Sequence, residues 1–379
     1  MFVLANTEAT QTFDDFLNDI KKKAIAQNIS QQTLDKVFSN LTPNPKVIEY
    51  DRRQPEFTQT FWEYLNKRVS NIRIKKGKNL YKQHYSLLKK IEKKYGVQGQ
   101  FLIAFWGLET NFGKYIGELK IVRSLATLAY DNRRRAFFTK QLLALLKLID
   151  DKKIPFDVKG SWAGAMGWTQ FMPTNVQAYA IDENKNKKLD LWSSVDDVFA
   201  SSSNFLRKIG WKKGEKWGRE VSLPKDFDYR NADLKIKKSL QHWHLLGVRK
   251  IDGSELPNIE LEASLVLPMG YKGPAFLVYQ NFRAILNWNR SILYAIAVGH
   301  LSDRILGLGK LKTPITIEKK LSKKDIQFIQ TRLNSLGFDV GKVDGIAGPK
   351  TRDAVREFQL ISAFPADGFV GYSLLQQLQ

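Results

Sequence analysis

Residues 99 to 113, GQFLIAFWGLETNFG, constrain this chain more than any other stretch. Nearly every position from Phe101 to Leu108 is apolar, so the segment reads as a helix buried on most of its sides. A single carboxylate, Glu109, stands at its end, before Thr110, Asn111 and a Gly113 able to stop the helix. Partial removal from water disfavours the charged form of a carboxyl group, which keeps it protonated near neutral pH and lets it act as a general acid. The plainer reading is a solvated helix-terminal Glu, or one paired with an arginine such as Arg134.

Around that segment the pattern is helical from Thr12 to about Leu148. Phe13, Phe16, Leu17 and Ile20 fall at spacings of three and four, as do Leu80, Tyr81, Leu87 and Leu88. Gly113 and Gly117 break the run, and Pro155 and Gly160 open a loop. ELEASLVLPMG (260 to 270) alternates like a strand or hairpin, and helix is expected again from Ala275 to Ile305. GLGKLKTPITIEKK (307 to 320) reads as a linker, and a compact helical unit follows from Leu321. No internal repeat is evident. The 379 residues suit two or three domains, and 43% hydrophobic with 12% aromatic residues excludes a disordered chain.

Sixty Lys plus Arg against 38 Asp plus Glu give a net charge of +22, which calls for an anionic partner: nucleic acid, a membrane surface or an acidic polysaccharide. The basic residues are spread, as in RIKKGKNLYK (73 to 82), KWGRE and IEKKLSKK, with no nucleic-acid reading motif. The absence of cysteine removes disulfide scaffolds, thiol nucleophiles, Cys-based zinc sites and a lipidated N-terminal Cys. The four histidines (84, 242, 244 and 300) lack HExxH spacing, and His242 and His244 read as surface or strand residues. GLGK (307 to 310) is too short for a phosphate loop, and no G-x-S-x-G elbow occurs. No apolar stretch reaches the roughly 18–20 residues of a spanning helix. MFVLANTEA is either the end of a trimmed secretory signal, with Ala5 near the cleavage position, or a plain start.

The Gly-rich segment GSWAGAMGWTQFMPTN (160 to 175) combines small residues with Ser161, Gln170, Trp162, Trp168 and Phe171. Small residues let backbone approach a ligand closely, Ser and Gln hydrogen-bond sugar hydroxyls and acetamides, and aromatic faces stack on sugar rings. The alternative is a tightly packed helix–loop junction.

GLETNFG, RSLATLAYDNRRRAFF (123 to 138), KGSWAGAMGWTQFMPTN and FLRKIGW (205 to 211) resemble successive blocks of the lytic transglycosylase B family. NFRAILNWNRSILYAIAVGHL (281 to 301) is similar to its closing block, so the resemblance covers about residues 10 to 306 in order. It implies a mainly α, lysozyme-like helical catalytic domain with small β elements (residues 1–306, with an accessory segment at about 212–275). It also implies cleavage of peptidoglycan between N-acetylmuramic acid and N-acetylglucosamine. By the resemblance Glu109 is the catalytic glutamate: it protonates the glycosidic oxygen, then takes the proton of the muramoyl C6 hydroxyl as that hydroxyl attacks C1. One carboxylate suffices because the nucleophile belongs to the substrate, whereas a hydrolase usually needs a second. No conspicuous second Asp or Glu stands beside these motifs. Ser161, Gln170 and Asn281 fall on polar cleft positions of the family, and Tyr64 and Phe205 near aromatic sugar-binding positions. Arg134 and Arg135 match an arginine pair, read either as a contact to a muramyl-peptide carboxylate or as a structural ion pair.

Asp182, Asn184, Asn186, Lys188 and Asp190 recur at every second position, resembling the oxygen ligands of an EF-hand loop, where some family members bind calcium. Position 6 is Lys187 instead of Gly, position 12 is Ser193 instead of Glu, and Lys185, Lys187 and Lys188 repel a cation. Asp196 or Asp197 is left to close the site. These departures favour a solvated turn over a Ca2+ site, and the reaction itself requires no cofactor.

Residues 321–379, with LGFDVGKVDGIAGPKTRDAVREFQ, resemble the three-helix type 1 peptidoglycan-binding domain. Ile326, Ile329, Leu333 and Leu336 form its first apolar stripe, stopped by Gly337. Such a module raises local enzyme concentration on a polymer through a tether. The expected partner is the peptidoglycan glycan strand, with no nucleic acid. The expected state is a soluble monomer without a transmembrane segment or lipid anchor, in the periplasm or cell envelope. A non-catalytic wall-binding scaffold and a hydrolytic muramidase are the competing functions.

Overall fold

The computed structural model describes residues 11–52, 59–317 and 319–379. The MFVLANTEA stub with Ala5 lies outside them, as does Glu318 of the linker. Seventeen α-helices and seven short strands lie among the described residues, and no helix there is long and apolar enough to cross a membrane. The chain divides into two compact units: residues up to Gln54 with Trp106–Phe205, and Pro55–Phe105 with Leu206–Gln379.

The first unit begins with the Phe13–Ile25 helix. The Thr12 hydroxyl caps it by accepting from Asp15 N, Asp14 and Asp15 sit in its first turn, and Phe16, Leu17, Ile20 and Ala24 are buried. Its centre is the helix pair Ile121–Tyr130 and Arg135–Asp150, each with a nearly unbroken buried series. Two-residue strands β1 (Leu119–Lys120) and β2 (Lys159–Gly160) pair antiparallel.

The second unit holds a five-stranded antiparallel sheet of β3 (Gly218–Ser222), β4 (Lys238–Ser239), β5 (Arg249–Lys250), β6 (Glu262–Val266) and β7 (Ala275–Val278), ordered β4-β6-β7-β3-β5. Helix was expected from Ala275, but Ala275–Val278 is a central strand and helix begins at Gln280. Its four side chains are all buried and it pairs with β3 on one side and β6 on the other, a demand that helical propensity does not register. His242 and His244 lie on the short Leu240–Leu245 helix, not on a strand, and His242 is exposed as expected of a surface residue.

The C-terminal module belongs to this same unit. Its helices Lys323–Ser335, Pro349–Ile361 and Tyr372–Leu378 pack Ile329, Leu333, Val340, Val355, Leu374 and Leu378 together. Leu336, expected in the apolar stripe, is the exposed C-cap residue, and Phe338 packs against the core instead. A duplication appears that the sequence pattern hid. Buried Gln330 accepts from Gly345 N and donates to Ile346 O, clamping the Asp344-Gly345 turn. Gln359 accepts from Gly368 N and donates to Asp367, clamping a second Asp-Gly turn. Gly348 and Gly371 then stand at the N-caps of the following helices.

The module is also fastened to the sheet region. Arg356 reaches Asp233 and the Ala232 carbonyl, each at 3.2 Å, Lys235 pairs with Asp353 at 3.2 Å, and Asp367 accepts from Tyr271 N at 2.8 Å. The linker backbone is held at Lys312 and Thr313, whose N–H groups donate to Glu220. A docked module replaces the free tether.

Candidate active site

The Gly99–Thr110 helix ends in three consecutive left-handed residues, Asn111 (φ 51°), Phe112 (φ 61°) and Gly113 (φ 81°). Such a run is rare for residues with a Cβ and needs outside support. Here the support is Thr110, fully buried, whose hydroxyl donates to the Trp168 carbonyl at 2.7 Å and accepts from Gly113 N at 3.0 Å. Trp106, one helical turn earlier, stacks on Trp168 with ring centroids 4.7 Å apart. A Cβ at Gly113 would sit 2.7 Å from Trp168 Nε1, so glycine is required by space as well as by φ. Glu109, half-buried, thereby stands at a helix end that is bonded to the 160s loop.

That loop is itself tightly specified. Ser161 N donates to the Ala165 carbonyl at 2.8 Å, Gly164 N donates to the Ser161 carbonyl at 3.1 Å, and Ala165 N donates to Ser161 Oγ at 3.0 Å. Met166 and Phe171 form an isolated antiparallel bridge. Gln170, at φ 52°, donates both amide hydrogens, to Ile116 O at 3.2 Å and Gly167 O at 3.0 Å. The first of these binds the loop to the segment just after Glu109. With both N–H groups committed, Gln170 presents its carbonyl oxygen as an acceptor, while Ser161 keeps a hydroxyl hydrogen to donate. Glu109, Ser161, Gln170 and half-buried Trp162 thus belong to two bonded segments of one unit.

The remaining candidate residues are placed differently. Arg134 and Arg133 both pair with Asp51, which is only 3% exposed, and Arg134 also lies over the Phe138 ring. Arg135 donates to the Tyr130 carbonyl and lies over Phe16. Phe205 is 5% exposed, stacked on Tyr179 and edge-on to Phe171. In the second unit Tyr64 is 1% exposed. Asn281 is fully buried, accepting from Lys212 N and donating to the carbonyls of Lys212 and Glu215. Its amide therefore shapes the 212–215 turn.

In the 182–197 loop the side-chain oxygens accept the loop's own N–H groups. Asp182 takes Asn186 N and Lys187 N, Asn186 takes Lys188 N, and Asp197 takes Glu183 N and Asp190 N. Asn184 accepts Asn186 N and donates to Ser194, and Lys185, Lys187 and Lys188 are exposed beside them. Among the described residues no group of three His, Cys, Asp or Glu is arranged to hold a metal ion.

Residues 12–303 match the Transglycosylase SLT domain family, more than two thirds of the chain. The chain belongs to that family. Residues 322–378 match the peptidoglycan binding domain family. The protein is thus an enzyme of the lytic transglycosylase class, with a mainly helical, lysozyme-like catalytic domain. It is 42% identical to SltB3 from Pseudomonas aeruginosa, whose structure was solved in complex with NAG-anhNAM-pentapeptide; the match covers 97% of this chain and 99% of that one, with a TM-score of 0.92. Membrane-bound lytic murein transglycosylase B of Escherichia coli (strain K12) is 28% identical over 314 residues, 79% of this chain and 83% of that one. The Escherichia coli transglycosylase Slt35, solved in complex with calcium, is 26% identical, covering 80% of this chain and 98% of that one, with a TM-score of 0.64.

Glu109, Ser161 and Gln170 are candidates on sequence grounds, and Gly113 reads there only as a helix stop; the Thr110 bond to the Trp168 carbonyl and the packing of Gly113 on Trp168 appear only in the structure. The signal was present in GLETNFG itself: a buried hydroxyl beside the carboxylate and a glycine three residues later.

Proposed function

We propose that this transglycosylase cleaves the β-1,4 bond between N-acetylmuramic acid and N-acetylglucosamine in peptidoglycan and leaves a 1,6-anhydro-N-acetylmuramic acid end. Glu109, as the carboxylic acid, donates its proton to the glycosidic oxygen while the C1–O bond breaks. The muramoyl C6 oxygen forms the new bond to C1, and its proton passes to the Glu109 carboxylate, restoring the acid. No water is consumed. Intramolecular attack makes one well-held carboxylate sufficient. The observation that carries this reading is the fastening of Glu109's helix end to the loop bearing Ser161 and Gln170. Ser161 as donor and Gln170 as acceptor would orient the sugar hydroxyl and acetamide groups.

The nearest acidic neighbour in sequence, Glu118, has a side chain 85% exposed and lies 3.5 Å from Lys159, a poor setting for a second catalytic carboxylate. Location at the cell envelope follows from the substrate. The test is the mass of the products released from purified sacculi. Muropeptides one water lighter than their reducing counterparts support the reaction, whereas reducing-end products would assign the hydrolytic alternative.

A further inference from the structure

The helices Asn71–Gln83 and Tyr85–Tyr95, joined at His84, concentrate charge far beyond the rest of the chain. Residues 75 to 94 hold eight lysines against one acidic residue, Glu92, a net of +7 out of the whole chain's +22. All eight are exposed: Lys75, Lys76, Lys78 and Lys82 on the first helix, Lys89, Lys90, Lys93 and Lys94 on the second. The buried residues of the two helices, Ile74 and Gly77, then Leu88, Ile91 and Tyr95, anchor them to their own unit. Gly77 packs so closely on Ile305 that a Cβ there would lie 2.9 Å from it. Lys89 pairs with Glu92, but Lys75, Lys78, Lys82, Lys90 and Lys93 have no ion-pair partner among the described residues.

Eight like charges on two consecutive helices repel, and an extended polyanion would relieve that repulsion. Lysines carry compact point charges on flexible stems, suited to a diffuse array of carboxylates more than to bidentate reading of one group. The neighbouring Arg73 is not part of the surface, since its guanidinium donates to the Lys67 and Arg68 carbonyls. A bilayer surface would call for an apolar stripe beside the lysines. The exposed apolar side chains here are instead Ile72 and Tyr85, one at the start of each helix.

We propose that this lysine-covered helix pair is the surface through which the enzyme adsorbs to peptidoglycan, by its stem-peptide and lactyl carboxylates. The inference rests on the wall-cleaving function proposed above, and adsorption is measured separately from turnover. The test compares the full chain with two variants that each lose four charges. One carries Lys75→Gln, Lys78→Gln, Lys90→Gln and Lys93→Gln; the other carries Lys22→Gln, Lys23→Gln, Lys185→Gln and Lys188→Gln, exposed positions elsewhere. Co-sedimentation with purified sacculi at low salt should fall at least about fivefold for the first and less than about twofold for the second, with unchanged thermal unfolding of both. Sacculi whose carboxylates have been amidated should hold the parent as weakly as untreated sacculi hold the first variant. Equal losses in the two variants, or undiminished binding to amidated sacculi, would overturn the proposal. So would a loss confined to phosphatidylglycerol vesicles, which would assign the surface to a membrane. Helix-dependent adsorption without release of anhydro products would sustain this inference while sinking the catalytic one.

Discussion

The Thr110 hydroxyl donates a 2.7 Å hydrogen bond to the Trp168 carbonyl, tying the residue beside Glu109 to the loop that carries Ser161 and Gln170. Neither residue performs chemistry in the proposed reaction, yet together they set where the carboxyl group stands. Thr110→Val keeps the shape and removes the hydroxyl, so the Trp168 carbonyl and the Gly113 N–H both lose this partner. We expect a stability loss of about 1–2 kcal/mol. As a positioning residue, Thr110 should act on kcat more than on KM, because misplacement of the acid weakens the transition state selectively. An equal rise in KM with unchanged kcat would mean the bond serves binding alone.

Gly113 offers a harsher perturbation of the same junction. Gly113→Ala places a Cβ 2.7 Å from Trp168 Nε1 at a φ of 81°. Strain of about 1–3 kcal/mol is expected, visible as a lowered denaturant midpoint. A midpoint equal to the parent's would show that the turn relaxes freely and does not hold Glu109.

Asp303 provides a pH signature within the second unit. It is half-buried on the Ile292–Ile305 helix, accepts from Trp217 Nε1 at 2.9 Å, and desolvation pushes its carboxyl up to about 6 from an ordinary 3.8. A raised carboxyl favours the folded state while protonated: its contribution is present below about pH 3.8 and is lost as pH rises through about 6. Asp303→Asn keeps an acceptor for Trp217 and removes the desolvated charge. The variant should exceed the parent by roughly 2–3 kcal/mol at pH 7.5, shrinking toward zero near pH 4. Thermal unfolding across that range checks it, and a pH-independent difference would contradict it.

Arg356 tests whether the C-terminal module is docked in solution. Arg356→Ala removes its contacts to Asp233 and Ala232 at once. Trypsin cleavage within residues 307–320 should then accelerate several-fold, as local opening becomes easier. Unchanged cleavage would favour a module tethered loosely in both forms.

The 182–197 loop should be indifferent to calcium. Its oxygens already accept main-chain N–H groups, and its three lysines oppose a cation. Millimolar calcium or a chelator should leave the unfolding temperature unchanged within about 1 °C, whereas a bound ion would raise it through mass action.

Much of this was readable from local patterns. The apolar run ending in Glu109 did become a buried helix, because continuous apolarity constrains burial whatever the partners are. The 160s loop was legible for a related reason: its glycines and polar residues are local requirements. What escaped were long-range pairings. Ala275–Val278 reads as helix until β3 and β6 flank it, and nothing in RRR at 133–135 reveals Asp51 eighty residues away. Phe205, Tyr64 and Asn281 are of the right type for sugar contacts, but exposure is a property of the packed unit, and all three are buried in theirs. The basic residues read as spread along the chain, and it is their exposure on two consecutive helices that sets the eight lysines of 75–94 apart. The paired Gln–Asp-Gly clamps of the module went unseen because the two glutamines stand at different distances from their turns.

The most direct test of the central claim is the rate of anhydromuropeptide release from purified sacculi by the parent, Glu109→Gln and Glu118→Gln. Single-carboxylate catalysis predicts a fall of at least about a hundredfold for Glu109→Gln, with Glu118→Gln close to the parent. Anhydro products released by Glu109→Gln at the parental rate, or abolished by Glu118→Gln, would contradict it.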